Sequence, residues 1–281
     1  MFDFISNSLH KIGNYSITTK SIITLIHATK LTNPRETLTL RHLLIVLILY
    51  LHFKIPNMDS LPININVSPL FYVKNPDGSK LGRKIVTHSI QLIHKLGFES
   101  FTIKKLGVAI GSPESSIYRY FESKQMILLY LIYWYWSWIE YRMVYALNNL
   151  GSPTLKLKTA IRILTESIEE DSSFSHINEI LLDRIIMTEA VKAYTINQIN
   201  KDTEKSHFTV YKRVVERVSQ LVTTINPKFK YPHMLISTVI EGSHQQRFFA
   251  ENFPSLTDVN KGTDYITNFY TQLVLNDIEI K

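Results

Sequence analysis

GFESFTIKKLGVAIGSPESSIYRYFESK, residues 97 to 124, is the stretch whose reading decides the fold. Two short helices stand in it back to back. Thr102 is placed to cap a helix running from about Ile103 to Ile110, and Gly111 closes it. Ser112 then caps a following helix whose first residue is Pro113, where a missing N–H loses no hydrogen bond. So tight a pair is a helix-turn-helix, in which the first helix crosses a phosphate backbone and the second presents its N-terminal residues to base edges in the major groove. The supporting helix carries Lys104 and Lys105. The next one opens with Ser112, Ser115 and Ser116, small enough for close approach, and ends aromatic in Tyr118, Tyr120 and Phe121.

Upstream, Leu81, Ile85, Leu92 and Leu96 form one helical face with Val86, Ile90 and Ile93 beside it. Ser89 is the polar interruption, and Gly97 is placed to end the helix. Residues 58–79 hold Pro62, Pro69, Pro76 and the Asp77-Gly78 pair, and read as an extended, turn-rich arm or linker. Residues 1–57 show no sustained amphipathic period. Their apolar run, Leu43 to Leu51, is flanked by Arg41, His42, His52 and Lys54 and falls far short of the roughly 20 residues a membrane-spanning helix needs. A start codon assigned too early accounts for this extension better than a short buried helix or a signal-like segment does, and no membrane association is expected.

Downstream, helical pattern fills the chain over about 124–148, 153–170, 176–200, 203–224, 232–250 and 260–277. The breaks fall at Gly151-Ser152-Pro153, Asp171-Ser172-Ser173, Asn226-Pro227 and Phe253-Pro254. The expectation is an all-α chain with a head at 80–125 and a body at 126–281. Charge divides the same way: residues 1–57 and 75–125 each carry a net +4, 58–74 balance, and 126–281 carry −1. The excess of cations near the front suits a polyanion. The absence of cysteine excludes disulfides, thiolate zinc sites and cysteine nucleophiles, and fits a reducing cytoplasm. No glycine-rich phosphate loop, nucleophile elbow or zinc-protease motif is present, and no cofactor is implied.

With Gly97-Phe98-Glu99-Ser100-Phe101-Thr102-Ile103, Leu106, Gly111 and the run Ile117 to Lys124, the sequence closely resembles the TetR/AcrR family of bacterial regulators over about 45 residues. The resemblance implies phosphate contacts by Thr102, Tyr118, Tyr120 and Lys124, and base reading by Glu114, Ser115, Ser116 and Arg119. It also implies a homodimer paired through the last two helices, and a small-molecule effector held in the helical body that releases an operator, most often a repressed one. Two departures stand out: Ser112-Pro113 replaces the family's usual Val-Ser, and Gly107 its usual Ala, so the turn is expected to be reshaped.

The chemistry of the residues agrees with these roles. A lysine at a helix N-terminus joins its charge to exposed N–H groups, and tyrosine hydroxyls donate to phosphate oxygens. A carboxylate such as Glu114 accepts from a cytosine amino group, and Arg119 suits a guanine. The plainer alternative is that Tyr118, Tyr120 and Phe121 pack the core of the head, which is the reading adopted for Phe121. Holding two recognition helices about 34 to 36 Å apart needs a dimer. Its candidate contacts are Leu235, Val239 and Phe249 on one helix and Ile266, Phe269, Tyr270 and Leu273 on the next, unless these pack only within the chain. On the helix after Lys124, Tyr130, Trp134, Trp138, Tyr141 and Tyr145 share a face, either lining an effector pocket for a flat or apolar molecule or forming a core stripe.

A rival of another class rests on two Glu-x-x-His pairs, Glu204 with His207 and Glu241 with His244, the spacing of di-iron bundle enzymes. It would also need carboxylates such as Glu166 and Glu179. Chance supplies two such pairs easily in a chain with ten histidines.

Overall fold

Helix α1 (Lys80–Leu96) begins where Ser79 turns its side chain back to accept the N–H of Gly82 at 3.0 Å. It buries Ile85, Val86, Ser89, Ile90 and Ile93, and stops at Gly97, whose φ of 74° favours a residue without a Cβ. Thr102 caps α2 (Ile103–Ile110) by accepting from Lys105 N–H at 3.1 Å, and Gly111 ends it in the left-handed region at φ 66°.

The computed structural model describes residues 65–169, 174, 176–194, 208–259 and 264–278, and of 191–194 the backbone alone. The expected extension 1–57 and the first part of the 58–79 segment lie outside these residues.

Helix α3 (Glu114–Tyr118) starts one residue later than expected: Pro113 holds the N-cap position and no side chain caps it. Ser112 is otherwise employed. Its N–H donates to Gly107 O at 3.0 Å and closes the turn, while Pro113 O accepts the N–H of Ser116 at 2.9 Å. This closure brings the Ser112 carbonyl to 2.8 Å from where a Cβ on residue 107 would stand, so glycine at 107 and Ser-Pro at 112–113 belong to one reshaped turn.

Ser123 caps α4 (Lys124–Leu147), a helix apolar nearly all round because it is packed nearly all round. Its neighbours are α1, the turn Pro69–Phe71, and three helices of the body: α5 (Pro153–Thr165), α6 (Glu179–Tyr194) and α7 (Thr209–Ile225). Helices α8 (Pro232–Asn252) and α9 (Tyr265–Ile278) pack on each other and on α5. Among the described residues the fold is helical throughout, with no strand, as the sequence led one to expect.

Helix ends moved where a local hydrogen bond overrode the pattern. Asn178 accepts from Leu181 N–H and Asp264 from Thr267 N–H, so α6 and α9 begin several residues later than their apolar periodicity. Helix α5 ends at Thr165, because Glu166 swings into extended backbone and lies between two arginines.

Residues 65–79 are more tightly held than a linker. Ile65, Val67 and Phe71 are buried, the Phe71 ring meets Tyr133 of α4 at 5.1 Å, and Val73 N–H donates to Tyr120 O at 2.8 Å. Gly82 makes room for this strap, since a Cβ there would run into the backbone of Pro76. Residues 62–281 form one unit, so head and body share a core.

Candidate nucleic-acid interface

The head divides its polar residues into two sets. Thr102, Lys104 and Lys105 on α2, and Glu114, Ser115, Tyr118 and Arg119 on and just after α3, are exposed, and Ser116 is half-buried. Lys105 also donates to Ser100 O at 2.7 Å, which holds its stem along the α1–α2 turn. Tyr118, 47% exposed, stands out as the large aromatic ring at the end of α3. Beneath them Leu106, Ile117 and Phe121 are fully buried, so Phe121 packs the head as expected. Exposed cations outnumber the one acid in the set, and the serines leave low relief at the start of α3.

Tyr120 and Lys124 are engaged differently from the outward contacts expected of them. Tyr120 is 5% exposed, its hydroxyl shares a 2.8 Å hydrogen bond with Ser79 Oγ, and the Lys74 ammonium sits 5.2 Å over its ring. Lys124 Nζ lies 3.1 to 3.2 Å from the carbonyls of Phe98, Glu99 and Phe101, which occupies its three donors, and 4.6 Å over the Phe98 ring. Both side chains bind the helix-turn-helix to its supports. Lys84 does the same, donating to Ile110 O at the end of α2 at 2.7 Å. The sequence signal for Lys84 was absent, because a lysine on an amphipathic helix ordinarily reads as solvated surface.

The four aromatic residues expected to meet an effector do not converge on one spot. Tyr130 lies at the junction of head and body, edge-on to Phe121 at 5.4 Å, and its hydroxyl reaches Asp77 at 3.3 Å. Burial, and then the Asp77 carboxylate, raise its ionisation far above the ordinary tyrosine range, so it remains a neutral donor. Asp77 also pairs with His176 at 3.0 Å, and Thr87 donates to His176 O at 2.7 Å, which joins the strap, α1, α4 and the residues before α6. Trp134 and Trp138 are buried and stacked at 6.2 Å, with Phe174 edge-on to Trp134 at 5.2 Å. Tyr141 has emerged at the surface, stacked on Tyr145. An open groove of about 840 Å³ between α7 and α8 is lined by Tyr211, Arg213, Arg217, His233 and Met234, and by none of these rings.

Of the residues considered for a metal, Glu204 and His207 lie outside the described residues. Glu241 is exposed and accepts from Tyr211, whereas His244 is buried. Burial and the neighbouring Arg247 push the His244 imidazole down to about 4. Among the described residues no three His, Asp or Glu side chains gather as metal ligands, and no helix is long and apolar enough to cross a membrane.

The sequence profile of the bacterial regulatory proteins of the tetR family matches residues 85–131, from α1 into the first turns of α4. These residues are similar to the DNA-binding domain of tetR-family regulators. The fold of the whole described chain has counterparts among solved structures. AibR in complex with isovaleryl coenzyme A and operator DNA is 13% identical, with 68% of this chain and 97% of that one covered and a TM-score of 0.51. The fatty acid degradation regulator FadR from Bacillus halodurans is 12% identical over 75% and 96%, with a TM-score of 0.52. A candidate transcriptional regulator from Saccharomonospora viridis in complex with choline is 14% identical over 71% and 96%, also with a TM-score of 0.52. At such identities the likeness speaks for the fold. None of the curated proteins compared matches this sequence.

Proposed function

We propose that the regulator binds a palindromic operator as a homodimer in the cytoplasm, represses the adjoining gene, and lets go when a small molecule occupies the helical body. The observation that carries this reading is the sorting of the head: Thr102, Lys104, Lys105, Glu114, Ser115, Tyr118 and Arg119 face solvent together, over a core that holds α3 rigidly. Phosphates would be met by Thr102, Lys104, Lys105 and the Tyr118 hydroxyl, and base edges by Glu114, Ser115, Ser116 and Arg119. Tyr120 and Lys124 then serve by fixing the register of α3 and the α1–α2 turn.

A dimer supplies the second recognition helix. Of the residues named for it, Val239, Ile266 and Tyr270 are core of the protomer, whereas Phe269 and Leu273 are exposed, together with Tyr265 on α9 and Met234 on α8. These four apolar side chains support an isologous pairing of α8 and α9. AibR, in complex with isovaleryl coenzyme A, and the choline-bound protein support a small-molecule effector for a protein of this fold. Here Trp134 and Trp138 are the rings a ligand in the body would meet, while Tyr130 sits where movement of α4 reaches the head and Tyr141 at the far end.

Binding to DNA from upstream of the regulator's own gene, followed by fluorescence anisotropy at several salt concentrations, tests the proposal. Saturable, steeply salt-dependent binding is expected, weakened about tenfold or more by Arg119→Ala or Tyr118→Ala. Sequence-independent binding at every salt concentration, or a Phe269→Glu variant that sediments and binds as wild type does, would refute operator recognition or the dimer surface respectively.

A further inference from the structure

Three helices send polar side chains into the interior of the body, where DNA binding gives them no employment. Tyr135, Trp138 and Arg142 follow one another at steps of three and four on one face of α4. The Tyr135 hydroxyl donates to Asp183 Oδ1 of α6 at 2.6 Å, and Arg247 Nη1 of α8 donates to Asp183 Oδ2 at 3.0 Å. Arg142 lies 4.8 Å over the Trp138 ring and donates to Glu166, whose other oxygen accepts from Arg162 at 2.6 Å. Both guanidiniums, of Arg247 and Arg142, are close enough to Tyr135 to act on its ionisation.

Once these bonds are formed, buried donors are left over. Trp138 Nε1, Arg142 Nη1 and Arg247 Nε are buried with no hydrogen-bond partner in the protein. A fourth, Trp136 Nε1, lies on the side of Tyr211 and His244. A buried N–H without an acceptor costs more than an ordinary hydrogen bond returns, and a cationic one costs most, so three around one phenol form a place made for oxygen atoms. Three guanidiniums, of Arg142, Arg162 and Arg247, share two carboxylates, of Asp183 and Glu166. His244 is neutral, and Glu179, one turn before Asp183, is a further buried carboxylate. Beside the donors stand the stacked Trp134 and Trp138 and the edge of Phe174.

We infer that this cluster is the effector site and that its ligand is a small carboxylic acid with an apolar or aromatic body. The two carboxylate oxygens take the open donors of Arg142, Arg247 and Trp138, and the apolar part lies along the Trp134–Trp138 stack. The assignment rests on the reading of the chain as an effector-controlled regulator and adds the chemical class of the effector. It also shifts the site around α4 from the stripe of Tyr130, Trp134, Trp138 and Tyr141, keeping Trp134 and Trp138 as the shared rings.

All three tryptophans of the chain lie on α4 at positions 134, 136 and 138, so intrinsic fluorescence of the full-length protein reports the site directly. Benzoate, phenylacetate and octanoate are titrated against their own amides, with and without operator DNA. Saturable quenching by at least one acid is expected, with its amide about tenfold or more weaker, because a guanidinium–carboxylate contact is replaced by a neutral one. Trp138→Phe, which keeps the ring and removes the N–H, and Arg247→Lys, which keeps the charge, are each expected to weaken the acid about tenfold while leaving the thermal transition of the free protein nearly unchanged. Equal binding of acids and amides, no binding by any acid up to about 10 mM, or wild-type affinity in both variants overturns the assignment. Failure of the regulator reading looks different: acids then bind without altering operator affinity, or the operator is not bound at all.

Discussion

Replacing Gly107 by alanine sets two opposed effects against each other in the middle of α2. The helix gains about 1 kcal/mol, because glycine is the poorer helix former by that amount. Against this, the new Cβ lies 2.8 Å from the Ser112 carbonyl oxygen, where ordinary contact begins at 3.4 Å, so the turn must open by several tenths of an ångström. The obstacle is backbone, which has no rotamer to escape into. Forced overpacking of this kind costs about 1–3 kcal/mol, and loosening the Ser112 N–H bond to Gly107 O about 1 kcal/mol more. The clash wins, and a net loss of about 1–3 kcal/mol follows. For a unit of this size each kcal/mol lowers Tm by about 2–4 °C, so thermal unfolding followed by circular dichroism should fall by roughly 5 °C. Operator affinity should drop further than stability, because α3 hangs from this turn. An alanine variant that melts at or above the wild-type temperature refutes the account of the turn, and with it the explanation of why this chain departs from the family's usual alanine.

Tyr120→Phe removes the 2.8 Å bond to Ser79 and should cost about 1 kcal/mol of stability, yet reduce operator affinity less than Tyr118→Ala does; calorimetry and anisotropy together check the contrast. The His244 imidazole is held neutral with its ionisation pushed down to about 4 against an ordinary 6.5, so the unfolded chain takes up the proton first as pH falls. That stabilising contribution is complete above pH 6.5 and is lost between 6.5 and 4, up to about 3 kcal/mol, and denaturant titrations across that window should show a slope that His244→Gln flattens. Asp77→Ala strands the buried Tyr130 hydroxyl and should cost about 1–3 kcal/mol, much of it recovered in the double variant with Tyr130→Phe, which a double-mutant cycle on Tm reads out.

What the sequence disclosed was local. Thr102, Gly97 and Gly111 act within a few residues of themselves, and their caps could be placed from spacing alone. Gly107 and Pro113 show the limit: both are intelligible only once the Ser112 N–H is seen to turn back on α2. Tyr118 and Tyr120 look alike in YRYF, but α3 ends between them, so helical periodicity has no hold on which faces inward. Pro69, Pro76 and Asp77-Gly78 point to turns in the segment before α1, while the partner that buries Phe71 is Tyr133, some sixty residues on. The polar cluster in the body was illegible for the same reason. Asp183 and Arg247 stand 48 and 112 positions after Tyr135, and each taken alone reads as an ordinary charged residue on a solvated helix face.

The strap of residues 65–79 bears on how this protein can be cut and recombined. A chimaera that grafts residues 85–131, the span matched by the family profile, onto another TetR-family body would leave behind Phe71, Val73 and the Ser79 cap. It would import a Tyr120 hydroxyl with nothing to bond and an open furrow beside α4. The transplantable cassette of this protein therefore begins at about residue 65, twenty residues before its recognisable domain, and ends only where Tyr133 has closed over Phe71.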